Sequence, residues 1–335
     1  MSIAAVTENA RFSVAPMMDW TDRHCRVFHR LLTRHALLYT EMVTAPAVIH
    51  GDRARLLGFS PEEHPVALQL GGSDPAQLAE SVRIACDFGY DEINLNVGCP
   101  SDRVQNGAFG ACLMREPGLV ADCVTAMIAA SEAAGGPEIT VKCRIGVDEQ
   151  EPPVALRDFL RIVSEAGVSR FAVHARKAWL QGLSPKENRT VPPLDYALVA
   201  AVRGENPALH LSLNGGIDTL DAATRHLNDG FEGVMIGRAA YQEPWAMLSQ
   251  VDERLFGAAP RDIDARGIVE AMAEYAGRVE APVKSIGRHM LGLFMGQPGA
   301  KIWRRYLSEH MYLPDAGPHT LIDAMRAMDR IPAHA

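Results

Sequence analysis

The stretch Glu92-Ile93-Asn94-Leu95-Asn96-Val97-Gly98-Cys99-Pro100-Ser101 reads as a strand that stops abruptly. Ile93, Leu95 and Val97 place apolar side chains at alternate positions, and Gly98-Cys99-Pro100 then breaks the pattern. A thiol is thereby displayed on a tight turn at the strand's C-terminal end. Pro100 has no amide hydrogen with which to continue a ladder, and Gly107 and Gly110 downstream let the backbone approach a bound molecule closely. Cys99 is the candidate reactive group. Residue type alone favours another reading, since free cysteines are usually small buried hydrophobes. Asn94 and Asn96 tilt the balance, because amides are poor strand formers and at a strand end suit the polar edge of a planar ligand.

The same unit, an apolar run closed by a breaker and followed by helical pattern, recurs on both sides of this stretch. Phe12-Ser13-Val14-Ala15-Pro16-Met17 comes first, with Asp19 or Thr21 placed to cap the next helix. Leu37 to Val43 and Pro65 to Gly72 follow, the latter leading through Ser73-Asp74-Pro75 into a helix that runs to Ile84. Beyond the opening stretch come strands over Ile139 to Gly146, Arg170 to Arg176, Leu209 to Gly216 and Gly233 to Arg238. Helical segments separate them over Leu119 to Ala134, Val154 to Ala166, Leu220 to Asn228 and Glu243 to Val251. Eight such strands imply an α/β fold, a (β/α)8 TIM barrel, whose site lies at the strand C-termini. A doubly wound sheet is the alternative, weakened because no Gly-x-Gly-x-x-Gly opens a helix after the first strand.

From about Arg261 the pattern turns to helices alone, over Ile263 to Glu280, Pro282 to Leu293, Pro298 to His310 and Pro318 to Ile331. This division sets a barrel over residues 1–255 and a C-terminal all-helical domain over 256–335.

At 335 residues the chain is long enough for a large domain with an appendage, and 47% apolar with 22% charged residues is ordinary for a globular protein. No apolar run reaches the roughly 18 residues of a membrane span, and residues 1–11 lack a basic segment followed by an apolar one. Six cysteines without a Cys-x-x-Cys pair suggest neither a disulfide framework nor a metal site, hence a reducing cytoplasm. A monomer without metal is expected.

The net charge of −8 argues against indiscriminate coating of nucleic acid but not against a local basic face. Residues 261–335 carry ten Lys and Arg against nine Asp and Glu, a balance of +1 that leaves −9 for the rest. Within that segment Lys284, Arg288, Lys301, Arg304 and Arg305 against Glu309 give a local +4, interleaved with Trp303 and Tyr306. A solvated helix face is the usual meaning of such a run. The long helix-poor loop carrying Arg176, Lys177, Lys186 and Arg189 against Glu187 makes a second positive patch, and two patches on an acidic chain suggest a polyanion site.

The strand ends of a barrel converge, so their offerings combine. Asn214-Gly215-Gly216 and Gly237-Arg238 close the seventh and eighth strands, where such barrels commonly hold phosphate. Ordinary turn glycines explain either motif alone; together they favour phosphate. Gln69, Lys142 and His174 interrupt apolar runs. A snorkelling lysine and a buried, hydrogen-bonded histidine are the plain explanations, yet beside a phosphate site the three suit a flavin, with the cation near its electron-rich pyrimidine end.

Ala15-Pro16-Met17, Gln69-Leu70-Gly71-Gly72, Asn94 to Pro100, Val141-Lys142-Cys143-Arg144-Ile145-Gly146, His174-Ala175-Arg176, Asn214-Gly215-Gly216 and Ile236-Gly237-Arg238 together resemble the tRNA-dihydrouridine synthases, over residues 11–310. The loop from Ala175 to Arg189 is similar to that of bacterial A-type members, which act on positions 20 and 20a of tRNA. The resemblance implies a barrel that binds FMN, a helical domain that binds tRNA, and NADPH or NADH as reductant. It implies hydride transfer from reduced flavin to carbon 6 of uridine and protonation of carbon 5 by Cys99, a role that a thiol with an ordinary pKa of about 8.5 can fill. By the same resemblance Asn96 holds the base. Flavin contacts fall on Pro16, Met17, Met18, Gln69, Lys142, His174, Asn214, Gly215, Gly216, Gly237 and Arg238. Contacts to tRNA are expected from Lys177, Lys186, Arg189, Lys301, Arg304 and Arg305. A small-molecule flavin oxidoreductase and an RNA-binding protein without turnover are the competing readings.

Overall fold

The computed structural model describes residues 10–101 and 109–329. Each apolar run forms a parallel strand: β1 Phe12–Val14, β2 Leu37–Thr44, β3 Val66–Gly71, β4 Glu92–Val97, β5 Glu138–Arg144, β6 Arg170–His174, β7 His210–Asn214 and β8 Gly233–Ile236. The strands pair in sequence order and close into a barrel. Phe12 opposite Val234 and Val14 opposite Ile236 form the closing seam between β1 and β8. Every backbone edge is therefore paired, and the apolar side chains pack in the barrel and beneath its helices.

Helices between strands begin where the sequence supplies a cap. Asp74 accepts the Gln77 amide at 2.9 Å and Pro75 opens the helix Pro75–Cys86. Pro117–Ala133, Pro152–Glu165, Tyr196–Glu205 and Leu220–Asn228 complete the ring after β4 to β7. The first helix, Arg23–Leu32, is capped neither by Asp19 nor by Thr21 but by Asp22, which accepts the amides of His24 and Cys25 at 2.9 and 3.0 Å. Asp19 instead adopts a left-handed conformation (φ 65°), and Thr21 turns its hydroxyl back to accept the Met17 amide at 3.0 Å.

Two helical expectations change. Glu243 to Val251 divides into Pro244–Leu248 and Val251–Phe256, and Pro282 to Leu293 shortens to Val283–Gly287. After Gly287 the chain proceeds in tight turns, with amide bonds from His289 to Ile286, Met290 to Gly287 and Leu293 to Met290. Gly292 lies hard against the segment after β8, where a Cβ would come within 2.0 Å of the Gln242 carbonyl oxygen. That contact, more than helical propensity, sets the path.

Asn94 does not face a ligand. It is 1% exposed, accepts from Gln69 at 2.9 Å and donates to Thr140 at 2.8 Å. A polar ladder thus crosses the barrel interior: Thr140 and Tyr39 donate to Glu92, which pairs with Arg170 at 2.8 Å, and Arg170 pairs with Glu138 at 2.8 Å. The asparagine that looks out of place in a strand is satisfied by other polar residues inside the barrel.

The helices Ala265–Val279, Ala300–His310 and His319–Met328 follow the barrel, and one apolar core runs from the barrel helices into them. Tyr275 bonds His24 at 2.9 Å and Arg278 pairs with Glu62 at 3.0 Å, so the segment rests on the helix after β1 and on the turn Pro61–Glu63 before β3. Among the described residues no helix is long and apolar enough to cross a membrane.

Candidate active site

At the end of β4, Asn96 turns its side-chain oxygen back to accept the amides of Gly98 and Cys99, both at 3.0 Å, and donates its own amide to Gln69 at 2.8 Å. This side-chain turn ends the strand where the sequence breaks. The carbonyl of Cys99 accepts the Ala111 amide at 2.9 Å, and Arg144 donates to the Gly98 carbonyl at 3.1 Å. The half-buried Cys99 is thus held from three sides, with its sulfur 3.4 Å from the Ser101 hydroxyl. Gly107 lies outside the described residues.

Strand register brings the other candidates alongside. Asn96 is opposite Lys142, Arg144 is opposite His174, and His174 is opposite Asn214. Asn214 is fixed by donating to the Met235 carbonyl at 2.6 Å. Burial and the nearby Arg144 push the Lys142 ammonium down to about 8. Burial, then the charges of Arg144, Lys142 and Arg176, hold His174 well below the usual histidine range, so its ring is neutral at pH 7. Gly215 and Gly216 follow with φ of 107° and 68°, and a Cβ at Gly215 would meet the His174 ring at 2.5 Å. Only glycine combines that conformation with that closeness.

Pro16, Met17 and Met18 form the turn after β1, in which the Met17 carbonyl accepts the amides of Trp20 and Thr21. Met18 is 53% exposed, whereas Gln69 is 1% exposed and lies deeper, between Asn94 and Asn96. Gly237 faces Met17, whose sulfur would lie 3.6 Å from an added Cβ. Arg238 donates to the Arg189 carbonyl at 3.4 Å, joining the eighth strand end to the basic loop.

Sequence reasoning passed over Arg144 as a site residue. It is 3% exposed, donates to Gly98 at 3.1 Å and to Asn188 at 2.9 Å, and has no carboxylate partner among the described residues. Burial lowers its pKa to about 10. The available signal was parity, since residue i+2 from Lys142 on a strand shares its face. The basic loop folds around a fully buried Asn188, which accepts the Trp179 amide at 2.7 Å and donates to the Trp179 carbonyl at 2.8 Å. Lys177 lies 4.9 Å over the Trp179 ring, while Lys186 projects outward.

Lys142, Arg144, Arg176, Arg189 and Arg238 therefore gather at one mouth, and none has an ion-pair partner among the described residues. Arg176 keeps a buried Nε without a hydrogen-bond partner, and the Cys99 sulfur is within electrostatic reach of Lys142, Arg144 and Arg189. Of the five only Arg144 is fully buried, and a buried cation without a counter-charge is costly. Such a cradle suits an anion beside a thiol.

Lys301, Arg304 and Arg305 share the helix Ala300–His310, and among the described residues no hydrogen bond or ion pair ties them to the mouth. Arg288 leaves the expected cluster, for it pairs with Asp22 at 2.5 Å. Two outer cavities, of about 190 and 220 Å³, include none of the mouth residues. Among the described residues no group of His, Cys, Asp and Glu is arranged to hold a metal, and the six cysteines are free thiols.

A family model described as dihydrouridine synthase matches residues 13–328. Relatives described as tRNA-dihydrouridine(20/20a) synthase include one from Vibrio vulnificus, 53% identical over 324 residues and covering 96% of this chain and 97% of its own. Another, from Escherichia coli K12, is 55% identical over 322 residues, covering 95% and 91%. Among solved structures, an old yellow enzyme homologue from Zymomonas mobilis aligns with TM-score 0.52 at 14% identity, covering 76% of this chain and 90% of its own. A morphinone reductase aligns with TM-score 0.50 at 13% identity, covering 77% and 88%. These two likenesses concern the fold alone.

Proposed function

The chain belongs to the dihydrouridine synthase family, and from that premise we propose that it reduces uridine to 5,6-dihydrouridine at positions 20 and 20a of the tRNA D-loop, using FMN and NADPH or NADH. The observation that carries this reading is the gathering of five unpaired cations around a braced cysteine turn. The residues fit the cofactor. Gly215 and Gly216 bare the backbone at the strand end, Arg176 has a buried N–H without a partner, and Arg238 closes the rim, a set suited to phosphate.

Pro16, Met17, Met18, Gln69, Lys142, His174, Asn214, Gly237 and Arg238 would line the cofactor's ring and chain. When bound, FMN supplies the hydride that adds to carbon 6 of uracil. Cys99 delivers its S–H proton to carbon 5 and recovers one from solvent. Lys142, Arg144 and Arg189 lie within electrostatic reach of that sulfur. Asn96 has its oxygen committed to the Cys99 turn, so it sets the thiol and can offer the base only an N–H. His174, being neutral, can donate or accept without adding charge.

Residues 1–255 would hold the cofactor and 256–335 would grip tRNA through Lys301, Arg304 and Arg305, with Lys177, Lys186 and Arg189 gripping from the barrel. A cytoplasmic monomer meets these needs. The test is incubation of the purified protein with unmodified tRNA and NADPH, followed by sequencing of the dihydrouridine sites. Product at 20 and 20a is expected. Product at 16 or 17 would reassign the site, and a yellow protein that modifies no tRNA would overturn the reading.

A further inference from the structure

Asp22 does more than cap a helix. Its carboxylate accepts from Arg288 at 2.5 Å and faces His289 Nε2 at 3.1 Å, in addition to the two helix amides. The His289 side chain is fully buried, and its other nitrogen lies 3.2 Å from the Tyr241 hydroxyl. Both ring nitrogens thus have a polar partner, and the Tyr241 hydroxyl also lies 3.4 Å from the Arg288 carbonyl, to which it can donate. Tyr241 in turn stacks on Trp20, with centroids 4.3 Å apart and planes 14° from parallel.

Both ends of this chain of contacts touch the mouth. Trp20 donates its amide to the carbonyl of Met17, in the turn after β1. Tyr241 lies in the helix Arg238–Gln242, which Arg238 begins. On the far side, the residue after His289 is Met290, whose carbonyl accepts the indole N–H of Trp303 at 2.9 Å. Trp303 is fully buried in the helix that carries Lys301, Arg304 and Arg305. Hydrogen bonds, one ring stack and the single backbone step from His289 to Met290 therefore join the cationic helix to both loops proposed to hold the cofactor.

A contact needed only for adhesion would not require this chemistry, since one apolar core already joins the helices to the barrel. Buried polar chains cost desolvation, and Arg288 keeps a buried Nε without a partner. We propose that Asp22, Tyr241, His289 and Trp303 are positioning residues that couple tRNA on the C-terminal helices to the FMN-binding loops, so that each ligand tightens the other. This rests on the reading under Proposed function. Linkage makes the coupling reciprocal, so one binding measurement suffices to detect it.

The experiment titrates FMN into the flavin-stripped protein with and without unmodified tRNA, reading flavin fluorescence, for the unaltered chain, Tyr241→Phe and Trp303→Phe. In the unaltered chain tRNA should tighten FMN by roughly fivefold or more, the usual lower range of coupling. Each variant should bring that factor below about twofold while FMN affinity without tRNA in Trp303→Phe stays within about twofold, a split that general destabilisation does not produce. If one variant fails to fold by circular dichroism, the other decides. An unchanged coupling factor in a folded variant, or none in the unaltered chain, overturns the proposal. Failure of the unaltered chain to bind FMN would instead overturn the cofactor reading.

Discussion

Cys99 takes its place from Asn96, whose side-chain oxygen gathers the Gly98 and Cys99 amides, so the thiol proposed as proton donor is held through its backbone while its sulfur lies 3.4 Å from the Ser101 hydroxyl. Cys99→Ala should leave NADPH-dependent bleaching of the flavin within about twofold of normal and lower dihydrouridine formation by roughly a hundredfold or more, the usual weight of a general acid. Stopped-flow absorbance beside product analysis separates the two steps, and an active alanine variant would remove the role. Lys142 gives a pH dependence. Its pKa is depressed to about 8 by burial first and Arg144 second, so without cofactor the folded chain loses this proton before the unfolded one does. Between about pH 8 and 10.5 the unfolded state binds more protons, and the cofactor-free protein gains stability from this group as pH rises. An anionic cofactor favours the charged form, so FMN affinity should instead fall as pH passes about 8. Lys142→Met should flatten that fall; an unchanged slope would show that Lys142 does not face the anion. The sequence exposed Lys142, His174 and Cys99 because each interrupts or ends an apolar run. Arg144 stayed hidden because an arginine at a strand end looks solvated, and only the fold shows it buried under carbonyls.

Among the elements, the strands were the most legible, since each apolar run of the barrel is closed by glycine, proline or a polar residue and pairs with its sequence neighbour. The helix starts were less so. Asp19, Thr21 and Asp22 are all good caps, and the choice falls to Asp22 because Arg288 and His289, far along the chain, meet it there. Asn94 was misread for a related reason, its partners Gln69 and Thr140 lying on other strands. The ladder it belongs to can be tested. Arg170 is 4% exposed and pairs with Glu92 and Glu138, while Glu92 is fully buried and also accepts from Tyr39 and Thr140. Arg170→Met would strand the Glu92 charge and should cost about 3–5 kcal/mol in urea unfolding. Adding Glu92→Gln should recover part of that loss. A single-variant cost below about 1 kcal/mol would mean that water reaches the pair.

At the scale of the molecule, an acidic chain gathers cations without ion pairs among the described residues at the barrel mouth with its loop and on the helix Ala300–His310. The net charge of −8 disfavours indiscriminate polyanion binding, so such clusters are where a polyanion gains most. Lys301 and Arg305 are exposed on that helix, whereas the fully buried Trp303 beside them anchors it, so charge and packing are divided between its faces. Replacing Lys301, Arg304 and Arg305 together by glutamine should therefore spare the fold and weaken tRNA binding. Each phosphate contact contributes roughly 0.7–0.9 to the slope of log affinity against log salt, so losing three should flatten it by about two units. Flavin reduction by NADPH should not change, because among the described residues none of the three is bonded to the mouth. A weaker complex with an unaltered salt slope would mean that the helix contributes shape instead of phosphate contacts. An unaltered affinity would confine the polyanion site to Lys177, Lys186 and Arg189 on the barrel.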